Sequence, residues 1–121
     1  MRNETATSYL GRGDIVLANL NPVIGSEQGE IRPAVIVQND ISNKYSPTTI
    51  IVPVISKKQI KKYVTNVPIF AEESKLKKDS LIICNQIRTI DKLRIKRKIG
   101  ALNNEIMKKV DLALKINLSL N

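Results

Sequence analysis

The chain has 121 residues, 42% of them hydrophobic, which is enough to bury one core and too short for two ordinary domains. Lysine and arginine number 20 against 11 acidic residues, and the net charge of +9 favours a polyanionic partner, although simple solubility or an AT-rich genome would also account for it. The sequence has no histidine, which argues against histidine catalysis, and with only one cysteine it does not predict a zinc site. No apolar run approaches the roughly 20 residues of a membrane span, which argues against a transmembrane segment.

The N-terminus and the cysteine both bear on where the protein works. Residues 1–11 are polar and aperiodic, which predicts a flexible tail ahead of a single domain over residues 12–121. This tail has no apolar segment of the kind that a secretory signal needs. Cys84 cannot form an internal disulfide, which fits a cytoplasmic protein, and its apolar setting in SLIICNQ predicts a small buried residue.

The first half of the chain predicts three strands joined by polar connections. The segment NPVIGSEQGE (21–30) contains one proline and two glycines, which predicts a long mobile loop. Residues 40–47 predict a turn-rich connection. Pro53 falls inside the third strand, which predicts an edge position or a bulge. The predicted strands are DIVLANL (14–20), PAVIVQN (33–39) and TTIIVPVIS (48–56).

The second half of the chain predicts further short strands and then a helix. In order, the elements are a basic loop (57–63), a short strand (64–70), a helical turn or loop (72–79), a strand (80–89) and a turn with a short strand (90–102). A C-terminal helix follows, with Asn103 or Asn104 as its cap. Five or six strands followed by one helix predict a mainly β protein, a small antiparallel barrel with the helix packed on it.

The C-terminal helix carries two apolar rows. One row should face the sheet, and it contains Ile106, Val110, Ala113, Leu114 and Asn117. A second row at i, i+4 spacing contains Leu112, Ile116 and Leu120. The second row indicates either a partner subunit or a helix that lies in a deep groove of its own sheet.

An arginine directly precedes the second strand. Arg32 follows the polar loop GSEQGEI and stands immediately before Pro33. A guanidinium at that junction would either form an ion pair with Glu27 or Glu30, or bind an anion. The sequence pattern alone leaves both interpretations open.

Three segments in combination resemble the MazF/PemK/Kid toxins of bacterial toxin–antitoxin pairs, over roughly residues 12–120. They are RGDIVLANLNPVIGSEQGEIRPAVIVQND, KYSPTTIIVPVIS and DSLIICNQIRTIDK. The resemblance implies a homodimer with an SH3-like, CcdB-type barrel. It also implies a metal-independent, cofactor-free endoribonuclease that cuts single-stranded mRNA at short sequences and leaves 2′,3′-cyclic phosphate and 5′-hydroxyl ends. A MazE-like antitoxin with an acidic segment would block the RNA site.

The resemblance assigns a catalytic role to Arg32, which would stabilise charge on the scissile phosphate. The family's hydroxyl residue is expected at the end of the third strand, where this chain has Ile55 instead of threonine. Isoleucine neither donates nor accepts a hydrogen bond. Ser56 follows at once and could take the role only if a bulge or the strand end turns it inward, because successive strand residues face opposite sides.

Further positions would contact RNA if the resemblance holds. The amides of Asn85 and Gln86 suit base-edge recognition, although they could instead cap the end of a strand. Asn39 is expected to be either a turn residue or a base reader. The lysines of the basic loop would contact phosphates, whereas the run LRIKRK (93–98) is expected to be solvated surface. The predicted RNA-binding residues are Ser26, Glu27, Gln28, Asn39, Lys57, Asn85 and Gln86.

Two non-enzymatic functions compete with the ribonuclease hypothesis. The same barrel could act as a binding module that blocks another protein, as gyrase-poisoning relatives of the fold do. It could also bind RNA as a regulator without cutting it. Arg32 discriminates between these hypotheses, because phosphate chemistry needs its charge and its fork of donors whereas a pure blocking module does not.

Overall fold

The structure, a computed structural model, describes residues 10–56 and 65–121. Most of the predicted tail and the whole predicted basic loop, with Lys57, lie outside these residues. The described chain forms seven strands and two α-helices: β1 (Asp14–Asn19), β2 (Ile31–Ile36), α1 (Asp40–Tyr45), β3 (Thr48–Ser56), β4 (Asn66–Ile69), β5 (Ser80–Ile83), β6 (Arg88–Asp91), β7 (Ile95–Ala101) and α2 (Asn104–Leu118). Short 3-10 turns cover Ala71–Glu73 and Lys92–Arg94.

All strand pairs are antiparallel, in the order β4-β5-β3-β2-β1-β7, with β6 paired to β3. The long strand β3 organises the sheet, because Thr48–Ile51 pair with β6 and Val54–Ser56 pair with β5. Its middle residues pair with β2 on the other side. The strand path does not close, so the sheet is barrel-like rather than a sealed barrel. The predicted mainly β fold with a C-terminal helix is confirmed.

Pro53 does not mark an edge strand, because β3 lies at the centre of the sheet. It is buried and aligned with Ala34 of β2. On the opposite side, the pairing with β6 ends at Ile51 and the pairing with β5 begins at Val54. Pro53 therefore lies between two partner strands, where its missing N–H interrupts neither ladder.

Two connections differ from the sequence prediction. Residues 40–47, predicted as turns, contain α1, because the side chain of Asn39 accepts a hydrogen bond from the Ser42 amide at 2.8 Å and so caps a helix. The predicted strand 80–89 is two strands. A turn closed by the Gln86 amide on the Ile83 carbonyl, at 3.1 Å, separates β5 from β6.

The core lies between the sheet and α2. Ile106, Val110 and Ala113 are buried there, as the first apolar row predicts. Asn103 caps the helix by accepting from the Ile106 amide at 2.9 Å. Cys84 is fully buried in the same cluster, which confirms the sequence prediction. This burial, with a smaller contribution from the charge of Asp111, raises the pKa of its thiol to about 12.

The RGD segment at the start of β1 anchors the helix and the first strands to each other. The guanidinium of Arg12 lies 2.5 Å from Asp111 of α2 and donates to the Val37 carbonyl at 2.9 Å. The amide of Arg12 donates to Asp40 at 2.7 Å. This end of β1 is thereby a structural junction. No helix in the described part of the chain has the length and apolarity needed to cross a membrane.

Candidate nucleic-acid interface

A cleft of about 420 Å³ lies between the β1–β2 loop and the turn that joins β5 to β6. Its floor is apolar and its rim is polar, and one arginine reaches it from β6. Residues that border it are Ser26, Glu27 and Gln28 from the loop, Ile51 and Pro53 from β3, and Asn85, Gln86 and Arg88 from the opposite wall. Such a combination of apolar floor and convergent polar groups is typical of a ligand site.

Gln86 connects the two walls of the cleft. Its side-chain oxygen accepts a hydrogen bond from the Gln28 amide at 2.8 Å, and its nitrogen donates to the Ser26 carbonyl at 3.4 Å. The neighbouring Asn85 is exposed at the rim. The wall therefore holds the loop through Gln86 and offers the amide of Asn85 to solvent.

The β1–β2 loop is also ordered from within. A carboxylate oxygen of Glu27 accepts from the Ile24 amide at 2.7 Å. Gly25 adopts a φ of 56°, which favours glycine. A Cβ on Gly29 would lie 2.6 Å from Oδ1 of Asn21, so a larger residue there would displace the loop.

Arg32 is half-buried where this loop enters β2. Its Nε donates to the Gly29 carbonyl at 2.6 Å, which fixes the plane of the guanidinium. Within the described residues, neither Glu27 nor Glu30 forms the ion pair with Arg32 that was one of the two interpretations, and its two Nη groups have no hydrogen-bond partner. Four N–H donors thus remain for an anion.

The strand register relates Arg32 to Ile55. Ala34 pairs with Pro53, and Ile36 pairs with Ile51. The ladder between β2 and β3 begins at the Ala34–Pro53 pair, so Arg32 and Ile55 each lie two residues beyond it, and alternation along β3 gives Ile55 the same side-chain direction as the cleft residues Ile51 and Pro53. Ile55 is buried in a small apolar cluster with Leu81 and Ile83.

The sequence and the fold are similar to those of known proteins. Residues 11–118 match the PemK-like, MazF-like toxins of type II toxin–antitoxin systems. The chain belongs to this family. A curated relative, endoribonuclease EndoA of Bacillus subtilis, is 49% identical over 109 residues, which cover 90% of this chain and 94% of EndoA.

Solved structures share the fold of this PemK/MazF-family toxin. MazF of Deinococcus radiodurans superimposes with a TM-score of 0.80 at 21% identity, covering 92% of this chain and 97% of that one. The toxin MazF-mt6 of Mycobacterium tuberculosis gives a TM-score of 0.75 at 20% identity, with 89% and 98% covered. At such identities the likeness establishes the fold.

The toxin's structure does not bring all the predicted site residues to the cleft. Ser56 pairs with Ser80 in an unbroken register, and the alternation leaves it on the face opposite Ile55. The side chain of Asn39, which the sequence predicted as either a turn residue or a base reader, caps α1. Lys57 lies outside the described residues. The residues that do meet at the cleft are Ser26, Glu27, Gln28, Asn85 and Gln86, with Arg32 adjoining them through Gly29.

Two arginines near the cleft of the toxin were not predicted as site residues. Arg88 lines the cleft and donates to the Leu20 carbonyl at 2.5 Å. Arg94 donates to the carbonyls of Asn19 and Asn21 at the base of the loop. The sequence signals for them are their places in QIRTID and LRIKRK, and the basic character of the second segment predicts solvated surface equally well. Across the described residues, no three His, Cys, Asp or Glu side chains lie together as metal ligands would.

Proposed function

We propose that this toxin is a sequence-specific endoribonuclease that cuts single-stranded mRNA without a metal ion and leaves 2′,3′-cyclic phosphate and 5′-hydroxyl ends. The family and the 49% identical relative named an endoribonuclease support the activity. The observation that carries the assignment of the site is Arg32, whose Nε is fixed on Gly29, the neighbour of the cleft residue Gln28, while its Nη groups have no hydrogen-bond partner among the described residues.

The chemistry uses the substrate's own nucleophile. The 2′-oxygen of the RNA loses its proton and forms a bond to phosphorus, the bond from phosphorus to the 5′-oxygen breaks, and that oxygen gains a proton. Negative charge develops on the non-bridging oxygens in between. The fork of Arg32 stabilises that charge, and one donor placed in this way is worth about 3–4 kcal/mol in the transition state.

The residues around the cleft select and hold the RNA strand. Asn85, exposed at the rim, reads base edges through an amide that both donates and accepts. Ser26, Glu27 and Gln28 form the facing wall, and Gln86 sets the spacing between the walls. Lys57 and the neighbouring lysines contact phosphates, which adds affinity but no sequence information.

The protein functions as a homodimer whose cognate antitoxin covers the RNA site. Solved complexes of MazE with MazF from Deinococcus radiodurans share this fold. The net charge of +9 attracts an acidic antitoxin segment as well as RNA to the protein. RNA and antitoxin would therefore compete for one surface.

The deciding experiment is cleavage of a long, mixed-sequence RNA in EDTA, with the product ends mapped. We expect discrete cuts that end in 2′,3′-cyclic phosphate. Arg32→Ala should reduce the rate by about 10²–10³-fold while circular dichroism stays unchanged. Arg97→Ala, on exposed β7, is the matched control and should cut like the wild type.

Two outcomes would contradict the proposal. Intact RNA from folded wild-type protein would point to the blocking module or the RNA-binding regulator, neither of which any structural observation favours. Unchanged turnover in a folded Arg32→Ala variant would show that the catalytic group lies elsewhere.

A further inference from the structure

Three successive carbonyls at the base of the β1–β2 loop are held by arginines. Nη1 of Arg94 donates to the carbonyl of Asn19 at 3.2 Å and also to that of Asn21. Nη1 of Arg88 donates to the carbonyl of Leu20 between them. Each of the three carbonyls thus has a side-chain donor, and this arrangement fixes the path of the chain after β1.

The turn that carries Arg94 is itself rigidly supported. Asp91 accepts a hydrogen bond from the Leu93 amide at 2.8 Å and so caps the turn. Lys92 is buried, donates through its amide to the Pro47 carbonyl at 3.0 Å, and donates through its ammonium to the Asn43 carbonyl. Arg94 therefore projects from a turn anchored to α1 and to the residue that precedes β3.

A chain of contacts leads from Arg94 to Arg32. The backbone carbonyl of Asn21 accepts a hydrogen bond from Arg94. The side-chain oxygen of Asn21 accepts one from the Glu30 amide at 2.9 Å. The Glu30 carbonyl in turn accepts from the Leu20 amide at 2.8 Å, which closes the loop at its base. The preceding Gly29 fits against Asn21 with no room for a Cβ, and its carbonyl binds Nε of Arg32.

We propose that Arg94 is a positioning residue for Arg32, acting through Asn21 and the Gly29–Glu30 segment. The proposal rests on the proposed ribonuclease function, in which Arg32 must meet the phosphate in one orientation. Arg94 is half-buried, lies outside the set of residues that line the cleft, and need not touch RNA. Its loss would let the Gly29 carbonyl shift, and a misplacement of about 1 Å at a catalytic group can cost ~10²-fold in rate.

The first test separates positioning from binding. Arg94→Met keeps the aliphatic stem and removes the donors, so kcat should fall between about 10-fold and 100-fold while KM changes little. Arg94→Lys restores a donor and should recover most of that loss. Arg97→Met on β7 is the control, and its rate should stay within about twofold of the wild type. Wild-type turnover by folded Arg94→Met would overturn the proposal.

The second test does not depend on activity. The Nε–H of Arg32 can be followed by nitrogen-15 NMR and assigned by its loss in Arg32→Lys. We expect a signal with slow solvent exchange in the wild type, faster exchange in Arg94→Met and no change in Arg97→Met. Asn21→Ala interrupts the same chain of contacts from within the loop and should reproduce the faster exchange if Arg94→Met does not fold.

The two tests keep this proposal distinct from the ribonuclease hypothesis. If wild-type protein leaves RNA intact, the proposed function fails, and the exchange rate of the Arg32 proton still decides the positioning role. If wild-type protein cuts RNA but the Arg32 proton exchanges equally in the wild type, Arg94→Met and Asn21→Ala, the positioning role is wrong while the function stands.

Discussion

Among single residues, Ile55 bears directly on the proposed chemistry. Ile55 presents a methyl-bearing side chain where the family resemblance predicts a hydroxyl. Its neighbours Leu81 and Ile83 are also apolar and buried. The cluster that Ile55 forms with Leu81 and Ile83 therefore supplies no hydrogen-bond or proton donor.

We predict that Ile55→Thr raises kcat by about tenfold or more, because a hydroxyl there could hydrogen-bond the phosphate or the leaving oxygen. It should also lower stability by about 1–3 kcal/mol, since a hydroxyl enters an apolar cluster. Single-turnover cleavage and urea unfolding measure the two effects. Ile83→Thr places a hydroxyl in the same cluster on β5 and should lose stability without gaining rate. Equal rates in the two variants would show that position 55 has no special access to the phosphate.

Cys84 should make folding stability depend on alkaline pH. Burial raises the pKa of its thiol from 9.0 to about 12. Because the pKa of this thiol is higher in the folded state, the free energy of unfolding keeps its full value below pH 9. It decreases between pH 9 and pH 12, where the thiol ionises in the unfolded chain but stays protonated in the folded one. From pH 8 to pH 10 the wild type should lose about 1.4 kcal/mol that Cys84→Ala does not lose. Parallel urea titrations of both proteins measure this, and parallel curves would contradict the prediction.

At the scale of elements, sequence patterns predicted those that depend on burial and caps. The bounds of β3 match TTIIVPVIS, and the capped start and buried row of α2 were predicted from Asn103 and the i, i+4 spacing. Helix α1 was missed because its six residues are mostly polar and are specified by the Asn39 cap and by tertiary contacts of Asn43. The break between β5 and β6 was missed because Asn85 and Gln86 fit the polar far end of one strand as well as they fit the turn that they form.

The candidate site shows the same division between local pattern and tertiary contact. The loop residues 26–28 and the amides at 85 and 86 were found through the motifs, and the structure brings them to one cleft. Arg94 was not found, since its role depends on backbone carbonyls that lie 73 and 75 positions away in the chain. No spacing rule in a single sequence encodes a side chain that binds distant main-chain atoms.

Helix α2 leaves its second apolar row in solvent, so the deep-groove alternative does not hold for the single chain. Leu112, Ile116 and Leu120 are 59%, 49% and 59% exposed. We predict that Leu112→Asp combined with Ile116→Asp converts the proposed dimer to a monomer in analytical ultracentrifugation, because a dimer would gain stability by burying this exposed apolar row between subunits. Leu93→Asp is the control, since Leu93 is 80% exposed and lies outside α2. A dimer that survives the double change would place the interface elsewhere.

For the whole molecule, the net charge of +9 predicts binding that responds to salt as well as to sequence. Each lysine that contacts a phosphate of single-stranded RNA contributes about 0.7 to the slope of log affinity against log salt concentration. Lys57→Glu combined with Lys58→Glu should therefore flatten the slope by about 1.4. The control, Lys77→Glu combined with Lys78→Glu, changes the net charge equally on an exposed loop and should leave the slope nearly unchanged. Because the two double variants carry the same net charge, a difference between their salt slopes reports local phosphate contact. Equal flattening of the two slopes would mean that the overall field of the protein attracts RNA and that Lys57 has no contact of its own.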